Sequence, residues 1–386
     1  MTARALCFAL ILAALAFASA RAQQRDVYTV ASVPVDATAA NAAAARDEAR
    51  HNGENSAYQI LLDRLTLDAD HARLPPPTDQ LLDDLITGFE VANERTSGVR
   101  YLANYTFHFQ ADAVRKLLRG AQIPYCETPS KPLVVLPVLE SGGAPVLWED
   151  PNPWRDAWTA KLPPAGLVPL ILPYGDLQDV QAIDAQAAVK GDAAPIQAIS
   201  SRYGGADVLV ADASLKADAA PHTLAVTFTR YSPGDPAPPQ SVTKTFTAAP
   251  DESDGDLFAA GVAGTADAVE EAWKEANILD YTHTGTLTVH VPTGDLQSFV
   301  DVRNRLTGIP AIAKSELVAI NRQQATLAIH YYGDPAQLRT ALQQRDLALE
   351  GQDPDFVLER AQAPPAPSPP APSPPAPSSL APSPPP

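Results

Sequence analysis

Residues 133–139 read LVVLPVL, apolar at every position. A strand with one wet face alternates apolar and polar residues. A strand apolar throughout needs cover on both faces, as in a central strand flanked by helices. LVPLILPY (167–174) repeats the type, and ADVLVADASL (206–215) follows the turn Gly204-Gly205. Between them the spacing predicts a polar helix over 176–190 and a second helix begun by Pro195 and closed at Gly204. TLAVTFTR and SVTKTFT alternate as a hairpin around SPGDPAPPQ. A helix capped by Asp256 then carries Phe258, Val262, Val269, Trp273 and Ala276 on one face. These elements define a mixed α/β domain over 130–280.

The flanking segments read differently. DVYTVASVPV (26–35) predicts a strand, and 38–65 a helix with Ala42, Ala45, Ala49, Gly53, Ala57, Ile60 and Leu61 on one face. Side chains this small let a helix lie close on a sheet. After Pro75-Pro76-Pro77, Thr78 can cap a helix bearing Leu81, Leu82, Leu85 and Ile86. In VRYLANYTFHF strict alternation puts Tyr101, Ala103, Tyr105, Phe107 and Phe109 on one strand face. A helix over 111–119 completes a β-α-α-β-β-α domain over 23–129. Beyond 281 the order is TLTVHV, a helix over 296–309, SELVAINR, ATLAIHYY, a helix opened by Asp334-Pro335, and LALEG. That β-α-β-β-α-β order, over 281–360, is the ferredoxin-like arrangement. The fold class expected is therefore α/β and α+β, multidomain.

The two ends are of another kind. Residues 1–22 carry Arg4, an apolar run from Ala5 to Ala18, and Ala20-Arg21-Ala22. This reads as a secretory signal peptide, which places the protein in the periplasm. The run is too short for a membrane helix, so no transmembrane segment is expected after cleavage. Cleavage after Ala22 would remove Arg4 and Arg21 and take the formal charge from -17 to -19. Such an acidic chain repels nucleic acid, which is excluded as a partner. Cys126 would be the one cysteine left, so no intramolecular disulfide is expected. The thiol could be buried, form an intermolecular bridge, or act as a nucleophile, with no activating base nearby in sequence. Residues 361–386 repeat PPAPS three times and predict polyproline II without a core: a disordered spacer, a strut, or a ligand for a proline-recognising partner.

DVYTVASVPVDATAANAAAARDEAR, VRYLANYTFHFQADAVRKLLR and VLWEDPNPWRDAW together resemble a family of secreted bacterial envelope proteins classified as domain of unknown function 2066. The resemblance covers nearly all of the chain between leader and tail. It implies a secreted protein of Gram-negative bacteria and no particular reaction. LVVLPV with SSRYGGADVLVADASL resembles the amino-terminal domain of the translocation protein TolB. The flagellar assembly protein FlgT and the curli secretion protein CsgG carry related domains, and the segment before it resembles the first domain of FlgT. Those relatives imply a role in envelope assembly.

No catalytic constellation stands out. The seven histidines show no metal-ligand spacing, and no phosphate loop, dinucleotide fingerprint or nucleophile elbow occurs. No cofactor is expected. Asp251–Asp256 (DESDGD) is dense enough in oxygen donors for calcium but lacks the alternation of a calcium loop. The segment 146–158 holds three of the four tryptophans. One reading makes it a helix entrance on the central sheet: Trp154 and Trp158 share a face, Asn152 or Asp150 caps, Pro153 begins the helix, and Trp148 staples back. The other reading is an exposed platform for cell-wall glycan or peptide, made by Trp148, Trp154 and Trp158 with Glu149, Asp150 and Arg155 at its rim. Glu149 and Asp150 as a glycosidase pair would have to overcome their adjacency, which points them apart in an extended chain. The expectation is a non-enzymatic adaptor or scaffold of the envelope, working through envelope protein partners. The alternative is a binding module for wall glycan or peptide.

Overall fold

A computed structural model describes residues 26–164, 166–217, 220–233, 238–352 and 355–361. The leader and the proline-rich repeats lie outside them. The protein is a mixed α/β chain with three sheets among the described residues. It divides into two compact units, one formed by residues up to 131, 163–170 and 263–361, the other by 132–162 and 171–262. No helix among the described residues is long and apolar enough to cross a membrane.

The first unit opens with strand β1 (Thr29–Thr38) and helix α1 (Ala42–Leu65). Helix α2 (Asp79–Leu85) leads into β2 (Ile86–Thr96) and β3 (Arg100–Phe109), and α3 (Ala111–Gly120) follows. The sheet is antiparallel with order β1-β3-β2. The alternating face of β3 is buried as expected, from Tyr101 through Phe109. Two boundaries move. The first helix starts at Ala42, not near Thr38, because the Asn41 side chain accepts from the Ala44 amide at 2.9 Å. Ile86 belongs to β2 rather than to the helix before it. Ile60 is 39% exposed, and Tyr58, Leu61, Leu62 and Leu65 fill the core below the small residues.

Gly53 shows why those residues are small. A Cβ added there would stand 3.0 Å from Val35 Cγ1 and 3.2 Å from the Phe107 ring. Gly53→Ala therefore overpacks the helix against the sheet, outweighing the gain in helix propensity. A loss of about 1–2 kcal/mol is expected in urea unfolding, and a more stable variant would contradict this packing.

The second unit is built on β4 (Leu133–Ser141), which hairpins to β5 (Ala144–Val146) and leads to α4 (Pro153–Lys161). Then come the two-residue β6 (Leu170–Ile171), α5 (Leu177–Ala182), α6 (Ala185–Lys190) and α7 (Ala193–Arg202). Strands β7 (Asp207–Lys216), β8 (Thr223–Tyr231) and β9 (Gln240–Thr247) follow, then helix α8 (Asp254–Asn277). The sheet order is β5-β4-β7-β8-β9, with β4 and β7 parallel. Leu133–Leu139 is buried at every position, as the unbroken apolar run requires. Val134, Leu136 and Val138 share one core with Ile183, Ala188, Ile196 and Ile199.

Four readings change here. LVPLILPY yields only the two residues of β6, since Pro169 and Pro173 remove donors that a long central strand needs. The helix expected over 176–190 is two helices, because Ile183 is extended and buried and Asp184 caps the second through the Ala187 amide at 2.8 Å. Helix α8 begins at Asp254: Ser253 Oγ accepts the Asp256 amide, and Asp256 accepts the Ser253 hydroxyl. Ala276 is exposed, and Asn277 is buried in its place.

The chain then returns to the first unit with β10 (Thr284–Pro292), α9 (Leu296–Leu306), β11 (Ile312–Ile320), β12 (Gln324–Tyr332), α10 (Pro335–Gln343) and β13 (Leu347–Glu350). LALEG is not the last strand. Strand β14 (Phe356–Arg360) inserts between β13 and β10, parallel to β10, giving the order β11-β12-β10-β14-β13.

Candidate functional site

The tryptophan stretch is a helix entrance. Asn152 Oδ1 accepts the Arg155 amide at 3.0 Å, and Pro153 occupies the first turn of α4. Trp154 and Trp158 are fully buried, edge to face at 5.6 Å, and Trp154 Nε1 donates to the Ala211 carbonyl of β7 at 2.9 Å. Neither ring can meet a ligand. Trp148 is half-buried, and its Nε1 donates to the Ile183 carbonyl at 2.7 Å. Arg155 donates to the Trp148 carbonyl at 2.7 Å and to Asp150 at 2.5 Å. Backbone amides, its own and those of Leu147 and Trp148, hold the Glu149 carboxyl below its usual range. Glu149 is thus kept ionised, the wrong state for a general acid, and Asp150 is tied to Arg155.

Trp148 leads to a feature the sequence did not single out. Gly175, at φ +70°, stands where a Cβ would touch the Trp148 ring at 3.5 Å. Beside it a groove of about 790 Å³ is lined by Tyr174, Gln178, Ala182, Ser201, Arg202 and Tyr203, among others. Asp179, which follows Gln178 in α5, is fully buried; it accepts from the Gly175 amide at 2.9 Å and the Tyr203 hydroxyl at 3.0 Å and pairs with Arg202 at 2.5 Å. Arg202 also pairs with Asp176 at 2.5 Å and donates to the Gln178 side-chain oxygen. Tyr174, which lines the groove, is 86% exposed; on other faces of α5 Leu177 is 71% and Val180 44% exposed. The Tyr174 and Tyr203 rings are tilted by 34° with their centroids 6.4 Å apart. The local signal was present in YGDLQDV and SRYGG, but a groove formed by two helices is invisible to a linear scan.

A second unforeseen residue is Asp212. It lies in β7 opposite Val138 of β4, and one carboxylate oxygen is buried with no described partner. Burial, reinforced by Glu140, raises its pKa to about 6. A carboxyl that binds its proton more tightly when folded costs stability as pH rises from the unfolded pKa near 4 through about 6. Asp212→Asn should raise the melting temperature at pH 7.5, and the gain should vanish below about pH 4. A gain unchanged at low pH would contradict this.

The remaining candidates are structural. Cys126 is fully buried, and burial first of all pushes its thiol up to about 12, so it is neither a nucleophile nor an exposed bridge. Around DESDGD, Glu252 accepts the Ala249 amide, Asp254 pairs with His222 at 2.6 Å, and Asp256 bonds Ser253. Among the described residues no three His, Cys, Asp or Glu side chains gather as metal ligands. No family model, curated protein or solved structure matches the chain.

Proposed function

We propose that this chain is a periplasmic, non-enzymatic adaptor or scaffold of the cell envelope that works by binding protein. The observation carrying this reading is the set of exposed apolar side chains Tyr174, Leu177 and Val180, on α5 and the loop before it, together with a groove whose charged groups are already paired with one another. Such a surface offers contact area and fixed hydrogen bonds but no activated nucleophile. The leader and the resemblance to domain of unknown function 2066 support the compartment. The parallel pair β4 and β7 under helices supports a TolB-like central domain over 130–280. The β10–β13 order supports a ferredoxin-like domain over 281–360 elaborated by β14, beside an α+β domain over 23–129.

The glycan alternative depends on exposed indoles, and of the three only Trp148 retains access. Titration of the full chain with cell-wall fragments should leave tryptophan emission unchanged. Quenching that disappears in Trp148→Phe would overturn the adaptor reading in favour of the glycan module.

A further inference from the structure

We propose that the groove of Tyr174 and Tyr203 is a polyproline-binding site and that its occupant is the molecule's own carboxy-terminal repeat, Pro364–Ser378. This rests on the reading of that groove as a peptide-binding surface and adds what fills it.

Three observations carry it. The first is aromatic geometry. Polyproline segments are taken by aromatic-lined grooves, because the ring faces receive proline rings whose ordering entropy is already small. Tyr174 and Tyr203 stand 6.4 Å apart at 34°. At ~3.1 Å per residue, the two prolines of a Pro-Ala-Pro step are ~6 Å apart. The Arg202 guanidinium lies over the Tyr203 ring, 5.7 Å from the centroid, and the Tyr203 hydroxyl is anchored on buried Asp179. That ring is fixed before any ligand arrives.

The second is charge. Residues 362–386 contain no Asp, Glu, Lys or Arg. In the groove Arg202 is matched by Asp176 and Asp179, leaving no cation that calls for an acidic peptide. What remains for a ligand is neutral donors. The Gln178 side-chain oxygen accepts from Arg202 and its amide nitrogen is a donor, and the Ser201 hydroxyl, which accepts from Gln197 at 3.0 Å, can itself donate. A polyproline backbone has carbonyls to offer and few amides.

The third is supply. The chain runs on for 25 residues past Ala361 and contains PPAPS three times in succession. Three equivalent repeats also raise the local concentration of matching segments.

The test is paramagnetic relaxation in the full-length protein. A nitroxide is attached through Ser373→Cys; Cys126 is buried. The expected result is loss of most amide signal intensity at Tyr174, Gln178, Ser201, Arg202 and Tyr203, restored by reducing the label. Tyr174→Ala, a side chain exposed enough to remove without harm to the core, should restore it as well. Intensities unaffected by the label, or losses that Tyr174→Ala does not change, would overturn the proposal. So would losses seen only when spin-labelled and isotope-labelled molecules are mixed, because the tail would then serve a second copy. If the tail does not dock but crosslinks to an envelope protein still form from Leu177, the adaptor reading stands and this occupant alone fails.

Discussion

Replacing Glu127 by alanine should lower the unfolding free energy by about 3–5 kcal/mol. Glu127 is a carboxylate 3% exposed within the first unit. It accepts from the Tyr28 hydroxyl at 2.5 Å, the Tyr281 hydroxyl at 2.7 Å, and Arg115 Nε and Nη2 at 2.9 and 2.8 Å. Burial, and then the Glu127 charge, raise both tyrosines above their ordinary range, so they stay protonated as donors. Burial alone would lower the Arg115 guanidinium, but Glu127 raises it above its usual value. Removing the carboxylate strands the buried Tyr28 hydroxyl and the half-buried Tyr281 hydroxyl and leaves Arg115 with exposed Asp112, the costly way to break a buried pair. Glu127→Gln keeps an acceptor oxygen and should lose less. Equilibrium urea unfolding measures both. A loss under about 1 kcal/mol for the alanine variant would mean that water replaces the carboxylate.

Trp154→Ala should cost a similar amount, about 3–5 kcal/mol, by opening a cavity beneath β7. The indole is fully buried, with Trp158 on one side and Phe258 at 6.0 Å. It is seated so closely that a Cβ on Gly261 would lie 3.1 Å from its ring. The two tryptophans are not equivalent. Trp154 Nε1 donates to Ala211, whereas Trp158 Nε1 has no described partner. Trp154→Phe should therefore lose a hydrogen bond that Trp158→Phe does not, a difference of about 1 kcal/mol in paired unfolding curves. Equal losses would remove the role given to that bond.

These residues also mark what the sequence can tell. Where one periodicity governed burial, most of the reading carried through: every position of 133–139, the alternating face of 101–109, and Ala45, Ala49, Gly53 and Ala57 of α1 are buried. Errors fell where a single side chain redirects the backbone. Asn41, Asp184 and Ser253 set helix starts, and prolines shortened β6 to two residues. Strand β14 was missed because FVLER is short and weakly patterned, and its pairing with β10 spans more than sixty residues of chain. At the tryptophan stretch the local signals of a helix entrance, Asn152, Pro153 and the four-residue spacing, were sufficient. The groove and Asp212 were not legible, because each depends on what distant strands and helices place beside it.

The central claim, a protein-binding surface at the exposed side chains of Tyr174, Leu177 and Val180, is tested most directly by site-specific photocrosslinking in intact cells of the native host. Benzoylphenylalanine is placed at Leu177, 71% exposed, and for comparison at Glu94, an exposed side chain of the first unit. The account predicts a discrete crosslink to an envelope protein from Leu177, absent from Glu94 and lost when Val180→Asp places a charge one helical turn away. Crosslinks of equal yield from both positions, or none from Leu177 while the protein co-sediments with purified cell wall, would contradict it.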